Sequence, residues 1–347
     1  MPIPSTMSSV ARSEWARSFV SEQAAAETVS LSVTLQKRLP QVALIAALAV
    51  LAYLGFALLG DASVIRDGLQ RLGPMQWLVL LGLSLCNYGL RFLRWHGYLR
   101  ALGARLTWQR DLLIYLAGFA FTVTPGKAGE AVRSVYLRAV GVSWSPGLAA
   151  LAVERVLDLT AIVILAALAL RVFTDQALPA LLVVGLVAGL LLWVTRPAVA
   201  RWLLAWLPTT GRWARLTTGA RSILDQTRRL LAPRRLLGGL ALGVLAWGAE
   251  AWGFYLLLGW LAVDIAAAHA IGIYAAGMLA GALSFLPGGL GGAEAAMVAL
   301  LVAGGAPFGT AVLATVICRA VTLWFAVVLG VLAVLALGRR SMPSVAS

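Results

Sequence analysis

Two short stretches interrupt apolar segments with Pro-Gly and then a carboxylate: Thr124-Pro125-Gly126-Lys127-Ala128-Gly129-Glu130, and Leu286-Pro287-Gly288-Gly289-Leu290-Gly291-Gly292-Ala293-Glu294. In a bilayer no water satisfies exposed backbone groups, so irregular backbone survives only against protein or beside a polar cavity. Two such breaks in one apolar chain point to a site where something polar enters or crosses the membrane.

The chain around them is built for lipid. Of 347 residues 61% are hydrophobic and 12% are charged, whereas soluble domains sit near 45–50% apolar and about 25% charged. Apolar runs of roughly the 20 residues that a helix needs to span lie near 41–60, 75–97, 145–171, 176–195, 236–262 and 307–337. The stretches 111–124 and 270–286 are shorter and suit re-entrant segments better. The expected fold is an all-α polytopic membrane protein with about six full transmembrane helices and two re-entrant helical hairpins. Its parts would be a polar tail over 1–40, one transporter-like domain over 41–338 and a short tail over 339–347.

A net charge of +14 could mean nucleic acid, but its distribution fits a membrane topology. Nine arginines, Arg196, Arg201, Arg212, Arg215, Arg221, Arg228, Arg229, Arg234 and Arg235, fall in one loop with a single Asp225. Cation-rich loops stay cytoplasmic; with this one inside, the six spans alternate without conflict and both termini lie inside. Leucines and tryptophans among the arginines of 196–235 suit an amphipathic helix on an anionic leaflet. A topology determinant with no specific ligand explains the same pattern. Cys86 and Cys318 sit in apolar segments and read as packing residues, not a disulfide. His96 and His269 are solitary, and neither a metal site nor a cofactor is expected.

The halves repeat. Tyr115-Leu116-Ala117-Gly118 and Tyr274-Ala275-Ala276-Gly277 each precede a Pro-Gly break, a carboxylate (Glu130, Glu294) and, 25 residues later, an arginine (Arg155, Arg319). Arg91 and Glu250 each precede the aligned tyrosine by 24 residues. Loop charge brings the first break in from the cytoplasm and the second from outside. Halves near 75–171 and 236–337 thus form an inverted repeat, the arrangement of transporters with midplane sites.

Each break should open a short helix, near 128–140 and 292–303, whose first amides and dipole favour an anion. Pro125, Gly126, Gly129, Pro287, Gly288, Gly289 and Gly291 would shape the backbone there. Lys127, Arg133, Arg155 and Arg319 supply cations for a phosphate. Glu130, Asp158 and Glu294 would meet a cationic or hydroxylated headgroup, or exchange protons, and Glu154 and Glu250 join them as residues of the translocation site. Internal pairing, Glu130 with Arg155 and Glu294 with Arg319, explains the same residues without a ligand. Arg91 and Arg94 fit the polar site, yet near a span end they can also snorkel. The Gly185/Gly189 and Gly277/Gly281 spacings permit close helix packing, within the chain or in a homodimer.

With these residues in place, the chain resembles the lysylphosphatidylglycerol synthase transmembrane-region family. The matching pieces are Arg91-x-x-Arg94-Trp95, Thr124 to Glu130 with Arg133, Glu154-Arg155-x-x-Asp158, and Pro287-Gly288-Gly289-Leu290-Gly291-x-x-Glu294 followed by Arg319, over about residues 75–337. The resemblance implies a polytopic fold with two re-entrant hairpins and translocation of a membrane lipid in the bacterial cytoplasmic membrane. The family's two-domain members add a soluble aminoacyltransferase, for which Arg339–Ser347 leaves no room, so the chain is not expected to be an enzyme. Two alternatives stay open: an intramembrane lipid-modifying transferase using the carboxylates as base or metal ligands, and a lipid-binding scaffold without transport.

Overall fold

The computed structural model describes residues 62–124, 129–173 and 214–341, with a few single positions between 185 and 206. The apolar runs expected at 41–60 and 176–195, and the terminal tails, lie essentially outside the described residues. Every regular element described is helical. In chain order they are α1 (Ala62–Gln70), α2 (Pro74–Ala101), α3 (Trp108–Ala117), a 3-10 turn (Gly118–Phe121), α4 (Val132–Ala139), α5 (Trp144–Phe173) and α6 (Ala214–Leu230). There follow α7 (Pro233–Trp260), α8 (Ala267–Leu283), a 3-10 turn (Pro287–Gly289), α9 (Gly292–Ala303), α10 (Phe308–Arg319), a π-helical turn (Ala320–Trp324) and α11 (Phe325–Ser341).

Local chemistry sets the ends. Pro74 and Pro233 occupy the first turns of α2 and α7, where a missing N–H costs nothing. By length and composition, Pro233–Trp260 and Phe308–Gly338 can each cross a membrane. Helices α2 and α5 match them with 28 and 30 residues, about 42–45 Å at 1.5 Å per residue, but carry charges along their lengths. The run expected as one span over 307–337 is one helix, Phe308–Gly338, and carries a π turn directly after Arg319. Tyr88 on α2 donates its hydroxyl proton to the Thr322 carbonyl inside that turn, which gives the widened turn a partner outside its own helix.

The order long helix, short helix, 3-10 turn, short helix, long helix occurs twice, as α2 to α5 and as α7 to α11, where α10, the π turn and α11 run on as one helix. The arms are unequal, ten residues in α3 against seventeen in α8. The halves interlock: α7 packs on α2, α8 on α5, and α11 on α3 and its 3-10 turn. One apolar core holds Phe254, Ile273, Met297 and Ile317; a second holds Trp95, Tyr115, Phe119, Leu137 and Leu157. The Gly277/Gly281 pair is spent inside the chain, since a Cβ at Gly281 would come within 2.9 Å of the Ala293 Cβ. Helix α6 rests on α5, where Gln226 donates to Ser145 Oγ at 2.9 Å, and leaves Arg221, Arg228 and Arg229 exposed.

Candidate functional site

Arginine and carboxylate side chains meet at the centre of the bundle. Asp158 on α5 faces three guanidinium groups: Arg94 at 2.5 Å, Arg91 at 3.1 Å and Arg155 at 3.1 Å. Glu154, one turn earlier, meets Arg133 at 3.1 Å and Arg94 at 3.8 Å. Glu130, from the first break, meets Arg133 at 3.1 Å and Arg155 at 3.4 Å, and accepts a long hydrogen bond from Thr122. This cluster holds four arginines and three carboxylates. Apart from Arg155, whose side chain is 25% exposed, its members are buried.

Arg91 and Arg94 do not snorkel. They are buried and turned inward to Asp158, and Arg94 also donates to the Gly239 carbonyl at 3.3 Å. Arg91 lies over the Trp247 ring, 5.3 Å from its centroid. Arg133 is held by ring faces as well, 4.1 Å from the Tyr115 centroid and 5.3 Å from that of Trp95.

The second break is pinned differently. Gly288 and Gly289 have φ of +64° and +68°, a left-handed conformation that glycine adopts without a Cβ penalty. This aims the Gly288 carbonyl at Arg319, whose Nη2 donates to it at 2.7 Å. Arg319 Nε donates to Glu294 at 2.7 Å, and the same carboxylate accepts from the Gly291 N–H at 2.6 Å. The N-terminus of α9 is therefore capped by its own glutamate. Thr124 plays a related part in the first break, accepting from the Gly129 N–H at 2.6 Å. Both 25-residue spacings are thus ion pairs in three dimensions. Lys127, Pro125 and Gly126 lie outside the described residues.

The two breaks meet. A Cβ at Gly288 would lie 3.5 Å from the Val123 Cα, and one cavity is lined by Arg91, Glu130, Glu250, Gly288 and Arg319 together with Tyr88, Tyr274, Thr122 and Thr322. It offers about 50 Å³ to the centres of water-sized molecules, room for a few waters at roughly 10–15 Å³ each. Glu250 accepts a 2.5 Å hydrogen bond from the Tyr274 hydroxyl. Arg94, Arg133, Glu154, Arg155, Asp158 and Glu294 are not among the residues lining the cavity, and the first five of them brace its wall.

Several site residues escaped sequence reasoning. Ser84, Asn87, Tyr88 and Tyr98 join the already expected Arg91 and Arg94 in one buried polar stripe on α2, and their three- and four-residue spacing was available as a signal. Asn87 is fully buried with neither amide atom hydrogen-bonded among the described residues. His96 is not solitary: its Nδ1 lies 2.5 Å from Asp111, which also accepts from the Trp95 ring N–H at 3.0 Å. No group of three or more His, Cys, Asp or Glu side chains placed to hold a metal ion occurs among the described residues.

An all-helical bundle with membrane-length apolar helices and a buried ion-pair core defines an integral membrane protein. Residues 41–330 match the profile of the lysylphosphatidylglycerol synthase transmembrane region, and the chain belongs to that family. Membership gives it a lipid-related role in the membrane. None of the curated proteins compared with the chain matches it.

Proposed function

We propose that the protein is a lipid flippase of the bacterial cytoplasmic membrane. It moves an anionic or headgroup-modified phospholipid, or a polyprenyl-phosphate-linked lipid, between leaflets. In this reading about six helices span, the two broken hairpins enter from opposite faces, and both termini are cytoplasmic. The headgroup passes between the breaks while the tails stay in the bilayer.

One observation carries the reading: a break from each half contributes to a single cavity that sets Arg91 and Glu130 opposite Gly288 and Arg319. Ionisable groups at membrane depth are costly and persist mainly along paths for polar cargo. Arginines suit a phosphate, which they can grip with two donors. The exposed arginines of α6 fit an anionic leaflet. A cavity of a few waters excludes a headgroup, so translocation requires the breaks to part.

The test uses purified protein in phosphatidylcholine vesicles carrying a fluorescent phosphatidylglycerol, with leaflet exchange read by quenching from outside. Arg155→Ala is the informative variant, because Arg155 is partly exposed and each of its carboxylate partners keeps another arginine. Wild-type exchange well above protein-free vesicles, lost in this variant while the protein stays folded, is the expected result. Unimpaired exchange in Arg155→Ala counts against the reading. Recovered lipid of altered mass would favour the transferase, and binding without exchange the scaffold.

A further inference from the structure

Two side-chain hydrogen bonds join α2 to α3 among the described residues, and both end on Asp111. The Trp95 ring N–H donates to Oδ1 at 3.0 Å, and His96 Nδ1 lies 2.5 Å from Oδ2. Trp95 and His96 are neighbours about 100° apart around α2, so both turn to α3 while Arg91 and Arg94 turn to Asp158. Asp111 sits in the first turn of α3, where the helix dipole favours a carboxylate. It is buried, yet His96 keeps 13% of its side chain exposed, edge-on to the exposed Trp108. None of these residues lines the cavity.

From Asp111 the contacts run inward to the cavity wall. Trp95 is fully buried, and the Arg133 guanidinium lies over its ring, 5.3 Å from the centroid. Arg133 Nε donates to the carbonyl of Tyr115, one turn after Asp111 on α3, at 3.1 Å. Its Nη2 meets Glu130, which belongs to the first break and lines the cavity, at 3.1 Å. Asp111 thus fastens α3, the arm that leads into the first break, to α2, against which α7 of the other half packs.

We infer that His96 and Asp111 form a latch on the first hairpin, tightened when the imidazole takes up a proton; this rests on the flippase reading, in which the breaks must part. Facing Nδ1, Asp111 keeps the neutral ring in its Nδ1–H form. A second proton, on Nε2, sets two opposite charges across the same contact and strengthens it. Protonation also draws the carboxylate's charge away from Trp95. That limb reaches Arg133 only through a ring face, and such a contact is the weaker of the two, so tightening wins. The other charged groups near His96 do not compete for it among the described residues. Arg100, one turn on along α2, and Arg110, beside Asp111 on α3, are exposed, while Arg133 of α4 and Tyr115 of α3 meet each other beyond Trp95. From α11, which packs on α3, the described side chains are apolar.

The experiment follows exchange of fluorescent phosphatidylglycerol in the same phosphatidylcholine vesicles, with equal pH on both sides, across the range where imidazoles titrate, about pH 5 to 8. Wild-type exchange should slow about fivefold from the alkaline to the acid end, the effect of giving one hydrogen bond a charged donor. His96→Gln, which keeps a neutral donor toward Asp111, should hold the fast rate throughout, and Asp111→Asn should lose the pH response as well. Wild-type rates that stay level or rise on acidification overturn the latch and leave the flippase reading standing. A His96→Gln protein that slows like wild type removes His96 as the titrating group. Should that variant not fold, Asp111→Asn decides, since a pH response kept without the carboxylate overturns the pairing. If no lipid moves at any pH, the flippase reading falls and the latch falls with it.

Discussion

Glu294 and Arg319 show how closely charge and fold are tied at single residues. Removing one partner of a buried pair strands the other, at a cost of about 3–5 kcal/mol. Glu294→Ala is therefore expected to lower the melting temperature sharply in detergent, through the loss of both the Arg319 contact and the cap on Gly291. Glu294→Ala combined with Arg319→Met should recover part of that loss, because no charge is then left behind. Two variants equally damaged would refute pairing as the cause. The sequence made these residues legible because ionisable groups are rare in apolar runs and the 25-residue spacing recurs. It could not tell a snorkelling arginine from one turned inward, since both fall near a helix end; Asp158 decides the matter only through packing. Tyr88 and Thr322 carry no mark in the sequence because their types are ordinary in apolar helices, Tyr274 stands out only as a repeat marker, and only their place in the cavity lining sets the three apart.

At the level of elements, the two interruptions were readable because proline and glycine act through local backbone geometry. Gly289 illustrates the constraint: besides its positive φ, a Cβ there would lie about 3.0 Å from the Gly281 backbone. Gly289→Ala should cost about 1–2 kcal/mol for the left-handed conformation, plus the clash. Gly248→Ala, within α7 where a Cβ would meet open space, should gain about 0.5–1 kcal/mol. Thermal unfolding of the pair in the same detergent checks the opposite signs. The unequal hairpin arms and the π turn were not readable. Residues 307–337 read as one span and form one helix, but the widened turn inside it has no compositional mark. Its identifiable support is tertiary, the Tyr88 hydroxyl on the Thr322 carbonyl, and a window of neighbouring residues does not contain it.

For the whole molecule, the central question is whether the two halves move against each other. The π turn joins α10, which packs on α9 of the second hairpin, to α11, which packs on α3 of the first. A single element thus carries a contact to each hairpin, and π turns often mark functional positions. The breaks themselves touch where a Cβ at Gly288 would lie 3.5 Å from the Val123 Cα, a close approach of the kind that bridging two cysteines requires. Val123→Cys with Gly288→Cys, in a background carrying Cys86→Ala and Cys318→Ala, would tie the halves together across the cavity. The single Gly288→Cys variant controls for strain at the positive φ. If headgroups pass between the breaks, oxidation should abolish lipid exchange in vesicles, reduction should restore it, and the single variant should be indifferent to both treatments. Exchange that continues in the oxidised protein would mean that the lipid travels elsewhere, for instance along the outside of the bundle past the partly exposed Arg155, and that the shared cavity holds the fold together without opening.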